Sequence, residues 1–212
     1  MKELILVGGG GHCHSVIDVI HSEKKYRIIG ILDPRLSPGS QVLNYEVLGN
    51  DELSAKYIEE GAHFLVTVGK LNLDGVREKT IENLTRLGAK FATVISSFAH
   101  VSDLATVGEG SVVHHGAIVN VASSIGRHCI INTSSVVEHD VKMGDFVHLS
   151  TMAIVNGHTE IAAHSFIASH GVISHNIQCR FPFILGANSF MHKAPDRSGL
   201  YVGSPARFQK EV

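Results

Sequence analysis

"SSIGRHCIINTSSVVEHDVKMGDFVHLS", residues 123–150, places a large apolar residue at every sixth position: Ile125, Ile131, Val137, Met143 and Leu149. The series runs in both directions without slipping register. It starts at Val101 and passes through Val107, Val113 and Val119. Downstream it takes in Val155, Ile161, Ile167 and Ile173, then Cys179, Leu185 and Met191. Four residues after each member stands a second set, from Ala105 and Ser111 to Gly171 and Ile177, mostly small and never charged. Neither the helical nor the strand period generates a repeat of six. A hexapeptide solenoid does. Three hexapeptides make one triangular coil, with one large and one small residue filling each corner. A β-sandwich would give no reason for so long an in-register series.

Residues eighteen apart then stack one strand spacing from each other, about 4.8 Å. The residue before each large apolar one points outward, so each face reads as a column. Ser124, Lys142, Glu160 and Gln178 form a polar column. Ile118, Val136, Ile154, Val172 and Phe190 form an apolar one, and Val112, Ile130, His148, Phe166 and Ile184 a third, apolar except for His148. Two apolar faces on a solenoid call for burial against symmetry mates, which predicts a homotrimer.

The first half has different periods. "ELILVGGGG" reads as a buried strand entering a glycine turn, and "HCHSVIDVIHS" as the helix after it. "YRIIGILDP", "AHFLVTVG" and "KFATVI" read as further strands, the last two separated by the helical "LDGVREKTIENLTRLG". That βαβ repetition predicts a Rossmann-like parallel sheet over 1–96, followed by the β-helix over 97–212.

Composition narrows the function. Among 212 residues, 44% are hydrophobic and 18% charged, a globular balance. A net charge of −2, with no Lys/Arg run longer than the pair Lys24-Lys25, gives nucleic-acid binding no electrostatic support. No apolar stretch approaches a membrane span, and the start lacks a signal-peptide cleavage pattern, so a cytoplasmic location is expected. Three scattered cysteines form neither a disulfide framework nor a zinc motif. The fifteen histidines require an explanation.

Glu138, His139 and Asp140 set an imidazole between two acids. Either the triplet is a solvated turn, or His139 is a general base oriented by a carboxylate. By the eighteen-residue arithmetic His139 stacks with Gly157 and then His175, and Asp140 with His158 and then Asn176. A glycine beside the imidazole offers an unobstructed N–H for a developing oxyanion.

The N-terminal "VGGGGH", the "ILDP" strand end, "EHD", "FVHLS" and the closing "VGSPAR" resemble the bacterial sugar O-acyltransferase family. That family of hexapeptide-repeat acyltransferases includes sialic acid O-acetyltransferases and UDP-4-amino-sugar N-acetyltransferases. The resemblance implies a left-handed parallel β-helix and acetyl-CoA as co-substrate, without a metal, acting on a nucleotide-sugar substrate. It implies His139 as the base, Asp140 or Glu138 as its orienting acid, and Gly157 as the oxyanion glycine. It implies cofactor contacts at His148, Ser169 and Ala187, the last two stacking with Thr151 as a column of small residues. Nucleotide contacts fall on Gly10, Gly11, His12, Asp33, Pro34 and Arg35. The phosphates would meet backbone N–H groups at a helix start. Pro34 departs from the family's usual acidic or polar residue, and the coils after Ile173 lack its usual "IG" steps.

Other readings compete. A dinucleotide enzyme would use the glycine loop and Asp33, but the third glycine of its motif is replaced by Cys13. A γ-carbonic-anhydrase-like hydratase would use His170 and His175, with its third ligand at Ser134, which cannot serve as the third zinc-binding imidazole. A trimeric scaffold gives no reason for the "EHD" triplet. A sugar O-acetyltransferase differs only in its acceptor.

Overall fold

The computed structural model describes residues 1–69 and 75–211. The chain divides into two compact units, Met1–Val94 and Ile95–Val212.

In the first unit, β1 (Lys2–Val7), β2 (Tyr26–Leu32), β3 (Gln41–Val42), β4 (Tyr45–Gly49), β5 (His63–Val66) and β6 (Lys90–Phe91) form one sheet in the order β3-β4-β2-β1-β5-β6. β1 lies parallel between β2 and β5. Leu4, Ile5 and Leu6 are successive and all fully buried, the mark of a parallel strand covered on both faces. Helix α1 (Gly11–Glu23) buries Cys13, Val16, Ile17, Val19 and Ile20. Two further helices are α2 (Ser54–Glu59) and α3 (Val76–Arg86). The expected helix from residue 73 begins at Val76, and residues 73 and 74 lie outside the described residues. The run "KFATVI" is not one strand: β6 ends at Phe91, and Val94–Ile95 forms a separate short strand at the boundary between units.

The second unit is the left-handed parallel β-helix. Its strands are mostly two residues long, and most pair with the strand eighteen residues on. Ile118, Val136, Ile154, Val172 and Phe190 form one such ladder. Val112, Ile130, His148, Phe166 and Ile184 form the second. Thr106, Ser124, Lys142 and Glu160 form the third. The six-residue series points inward, with Val113, Val119, Ile131, Val137, Leu149, Val155, Ile167 and Ile173 fully buried. An antiparallel pair, Gly199–Gly203 with Ala206–Lys210, follows the last coil.

Ten successive hexapeptides also place one residue each in the left-handed backbone region to turn a corner. These residues are Ala122, His128, Ser134, Asp140, Phe146, Met152, His158, His164, His170 and Asn176, with φ between 55° and 66°. Asn, Asp and His tolerate that region better than most side chains. Four of the fifteen histidines therefore stand at corners that the backbone selects. At one corner His128, Phe146 and His164 stack ring on ring, at 5.4 and 4.9 Å between centroids.

The faces differ from expectation in one respect. The third column is already covered in the chain: Val112, Ile130, His148 and Phe166 are 0, 1, 5 and 7% exposed. Its outward side chains are core, so it needs no symmetry mate. The other apolar column stays open, with Ile118 and Phe190 each 36% exposed and Val136, Ile154 and Val172 half-buried. On the polar face Lys142 Nζ meets Glu160 Oε1 at 3.0 Å, an exposed pair that adds little stability. Among the described residues no helix is long and apolar enough to cross a membrane.

Candidate active site

The "EHD" triplet turns the corner after the open apolar face. Asp140 takes the left-handed position, with φ 58°. That bend carries its carboxylate back toward the preceding ring, and Asp140 Oδ2 lies 2.8 Å from His139 Nδ1. A carboxylate can only accept, so Nδ1 carries the hydrogen and Nε2 is left with the free lone pair. The bond from His139, aided by His158 nearby, holds the Asp140 carboxyl below the usual carboxylate range. Glu138 faces elsewhere. Its Oε2 accepts from Asn120 Nδ2 at 3.0 Å, and its backbone carbonyl accepts from Ser123 Oγ at 2.6 Å. Of the two acids flanking His139, Asp140 is the one that contacts the ring.

Gly157 sits one coil on, directly beneath that ring. A Cβ there would stand 2.8 Å from His139 Cε1 and 2.9 Å from Nε2, closer than real side chains approach. His175, the next residue of the column, is exposed. The neighbouring column adds His158, to which the resemblance assigns no role. The His158 ring stands edge-on to His139, with centroids 5.2 Å apart, and its Nε2 lies 3.7 Å from Asp140 Oδ2. The signal for it was available, since 140 and 158 differ by one coil.

The residues expected to hold acetyl-CoA occupy a different corner. Ser169 and Ala187 follow the covered face, and Ser169 Oγ lies 3.1 Å from Ser150 Oγ. His148 stands on that face, its ring 5.0 Å from that of Phe166 and almost wholly buried. Because His139 and Ser169 turn separate corners of the triangular coil, one solenoid does not bring the two sets together. His170 and His175 are likewise on different corners, and the ligand-type cluster found among the described residues is His139, Asp140 and His158.

In the first unit, Gly10, Gly11, His12, Asp33, Pro34 and Arg35 gather where β1 and β2 end, the edge at which open parallel sheets bind ligands. Asp33 is 2% exposed and uses both carboxylate oxygens locally. Oδ2 accepts from Gly9 N at 2.7 Å and Oδ1 from Arg35 N at 2.8 Å. It thus clips the glycine loop to the end of β2. Gly8 takes φ +105°, and a side chain there would strike Val68, so this glycine is required by the turn itself. Gly10 and Gly11 instead open onto free space, and the first turn of α1 carries no acidic residue, which leaves its N–H groups suited to an anion. Pro34 and Arg35 are exposed.

Comparison with known proteins agrees with this arrangement. Residues 3–84 match the PglD N-terminal domain. A GDP-perosamine N-acetyltransferase of Escherichia coli is 26% identical over 189 residues, covering 86% of this chain and 82% of its own. PerB from Caulobacter crescentus, solved with CoA and GDP-perosamine, superposes with a TM-score of 0.88 at 26% identity, covering 99% of this chain and 98% of its own. The acetyltransferase domain of PglB from Neisseria gonorrhoeae, solved with acetyl coenzyme A, also gives 0.88 at 29% identity, covering 98% and 99%. A βαβ unit of the PglD type preceding a hexapeptide solenoid is thus the arrangement this chain has in common with these N-acetyltransferases.

Proposed function

We propose that this protein transfers the acetyl group of acetyl-CoA to the amine of a nucleotide-linked amino sugar. The observation that carries this reading is the imidazole of His139, held by Asp140 at Nδ1 and lying across Gly157 with Nε2 free. As the sugar amine attacks the thioester carbonyl, Nε2 takes the amine proton, and Asp140 stabilises the imidazolium that results. The C–S bond then breaks, and the same proton goes to the CoA thiolate. The Gly157 N–H is not taken by another backbone or side-chain acceptor among the described residues, and it has no side chain to obstruct it. It is suited to the oxyanion of the tetrahedral intermediate, a role for which single donors contribute about 10²–10³-fold in rate.

The nucleotide is assigned to the glycine loop. There the N–H groups of Gly11 and His12 would meet the diphosphate, and Asp33 acts by holding the loop in place. Pro34 and Arg35 border the same edge. His148, Ser169 and Ala187 are assigned to acetyl-CoA. Their corner differs from that of His139, so the reading calls for a second copy of the chain to complete each site, and the open apolar column supplies a surface for a three-fold ring.

The test is release of CoA thiol from acetyl-CoA with GDP-linked and UDP-linked amino sugars in parallel. PerB was solved with GDP-perosamine, and the Escherichia coli relative is named for that substrate, which makes a guanosine nucleotide the first to try. Turnover with an amino sugar and none with its hydroxyl analogue is the expected result. Turnover with hydroxyl acceptors alone would make the protein an O-acetyltransferase, and turnover with neither would end the reading.

A further inference from the structure

We propose that His139, Asp140 and His158 also form a binding site for a divalent transition metal, at which Zn²⁺ acts as an inhibitor. This rests in part on the reading of His139 as the base. The three side chains offer two imidazole nitrogens and one carboxylate oxygen, and these atoms all lie within 4.8 Å of one another. Tetrahedral zinc with ligands at about 2.0–2.1 Å needs them roughly 3.3 Å apart. Two of the separations, 2.8 and 3.7 Å, already bracket that value. The backbone beneath is fixed: His158 N donates to His139 O at 3.2 Å, and both Asp140 and His158 are held at left-handed corners. The side chains are half-exposed, so the small movement required meets no packed core. Two imidazoles and a carboxylate are a borderline donor set, which favours Zn²⁺ and its analogue Co²⁺ over Mg²⁺ or Ca²⁺.

The consequence for catalysis follows from the tautomer. A neutral imidazole carries one N–H, so a metal on Nδ1 requires that proton to move to Nε2. The nitrogen that would accept the amine proton is then already protonated. His158 takes no proton-transfer step in the acetyl transfer proposed above, so its replacement should weaken metal binding far more than acetyl transfer.

The experiment is titration of the metal-free full chain with Co²⁺ and Zn²⁺. Co²⁺ is followed by its visible absorption, and acetyl transfer is measured at each Zn²⁺ concentration. His158→Asn is the companion variant, since Asn keeps the left-handed corner. Saturable Co²⁺ binding with intense, tetrahedral-type bands is expected, and His158→Asn should weaken it by more than about tenfold, because even outer-shell partners are worth ten- to a hundredfold in metal affinity. Relative to each protein's own metal-free activity, Zn²⁺ inhibition should be lost in the variant. Absence of binding, or binding that His158→Asn leaves unchanged, overturns the metal site. Binding that His158→Asn removes, without any inhibition in wild type, upholds the site and overturns His139 as the base.

Discussion

The imidazole of His139 lies flat enough over Gly157 of the following coil that its Cε1 is 2.8 Å from where a Cβ would be. The glycine is needed for this contact and not for its backbone angle, because residue 157 is outside the left-handed region.

Gly157→Ala should therefore leave the fold intact and displace the ring. The obstructing atoms belong to an exposed side chain that can swing away, so stability should change little. Misplacing a catalytic group by about 1 Å costs on the order of 10²-fold. A fall in kcat of that size, with an unchanged melting temperature, is expected from kinetics and thermal unfolding. Wild-type kcat in this variant would show that the ring's position over residue 157 is irrelevant to the reaction.

Replacing His139 by Ala should lower kcat about 10²–10⁴-fold, the usual contribution of a general base. Asp140→Asn should fall between this variant and wild type. Asn occupies left-handed corners readily, so the substitution removes the charge without disturbing the turn. Glu138→Gln should stay close to wild type, since Glu138 bonds Asn120 and not His139. Steady-state kinetics of the three variants check the order, and a severe defect in Glu138→Gln alone would reverse the assignment of the orienting acid.

Solenoid stability should fall in mild acid because of His114. Burial, with His115 as a lesser contributor, pushes its pKa down from 6.5 to about 4. Between those values the unfolded chain takes up a proton that the folded chain refuses. Stability is thus fully present above about pH 6.5 and declines as pH falls toward 4. A shift of that size corresponds to about 3 kcal/mol. Thermal unfolding from pH 7.5 to 4.5 should show the decline, and His114→Gln, though less stable at pH 7, should show a shallower one.

Ile154→Glu should disrupt self-association. Ile154 lies at the centre of the open apolar column, where a carboxylate would be desolvated by a symmetry mate without a partner. Light scattering should give three times the monomer mass for wild type and a lower mass or aggregation for the variant. A monomeric wild type would remove the three-fold ring and, with it, the shared site.

The fold was legible because a period of six leaves few alternatives, and the stacking of His139 with Gly157 follows from the same arithmetic. Three features were not legible, each for a physical reason. The burial of Val112, Ile130, His148 and Phe166 depends on what covers that face, which no column of residues encodes. The choice between Glu138 and Asp140 depends on the corner: the left-handed turn at 140 directs that carboxylate to the ring, while Glu138 meets Asn120 one coil earlier. The role of Asp33 as a clip, with both oxygens on backbone amides, depends on distances at the glycine loop that a motif does not specify.

The register of the solenoid also constrains how such a chain can change length. Within Val112–Phe190 the paired strand residues stand eighteen positions apart. Losing or gaining six residues between 139 and 158 would keep the inward series inward but rotate everything downstream by one face, moving His158 away from His139 and setting each outward column on a different face. A change of eighteen would preserve every column and only lengthen or shorten the prism. Insertions in this half should therefore survive as whole coils, or as loops that leave the prism at a corner and return to it. Within the coils that carry residues 139 and 157 even a single-residue insertion would separate the imidazole from its glycine.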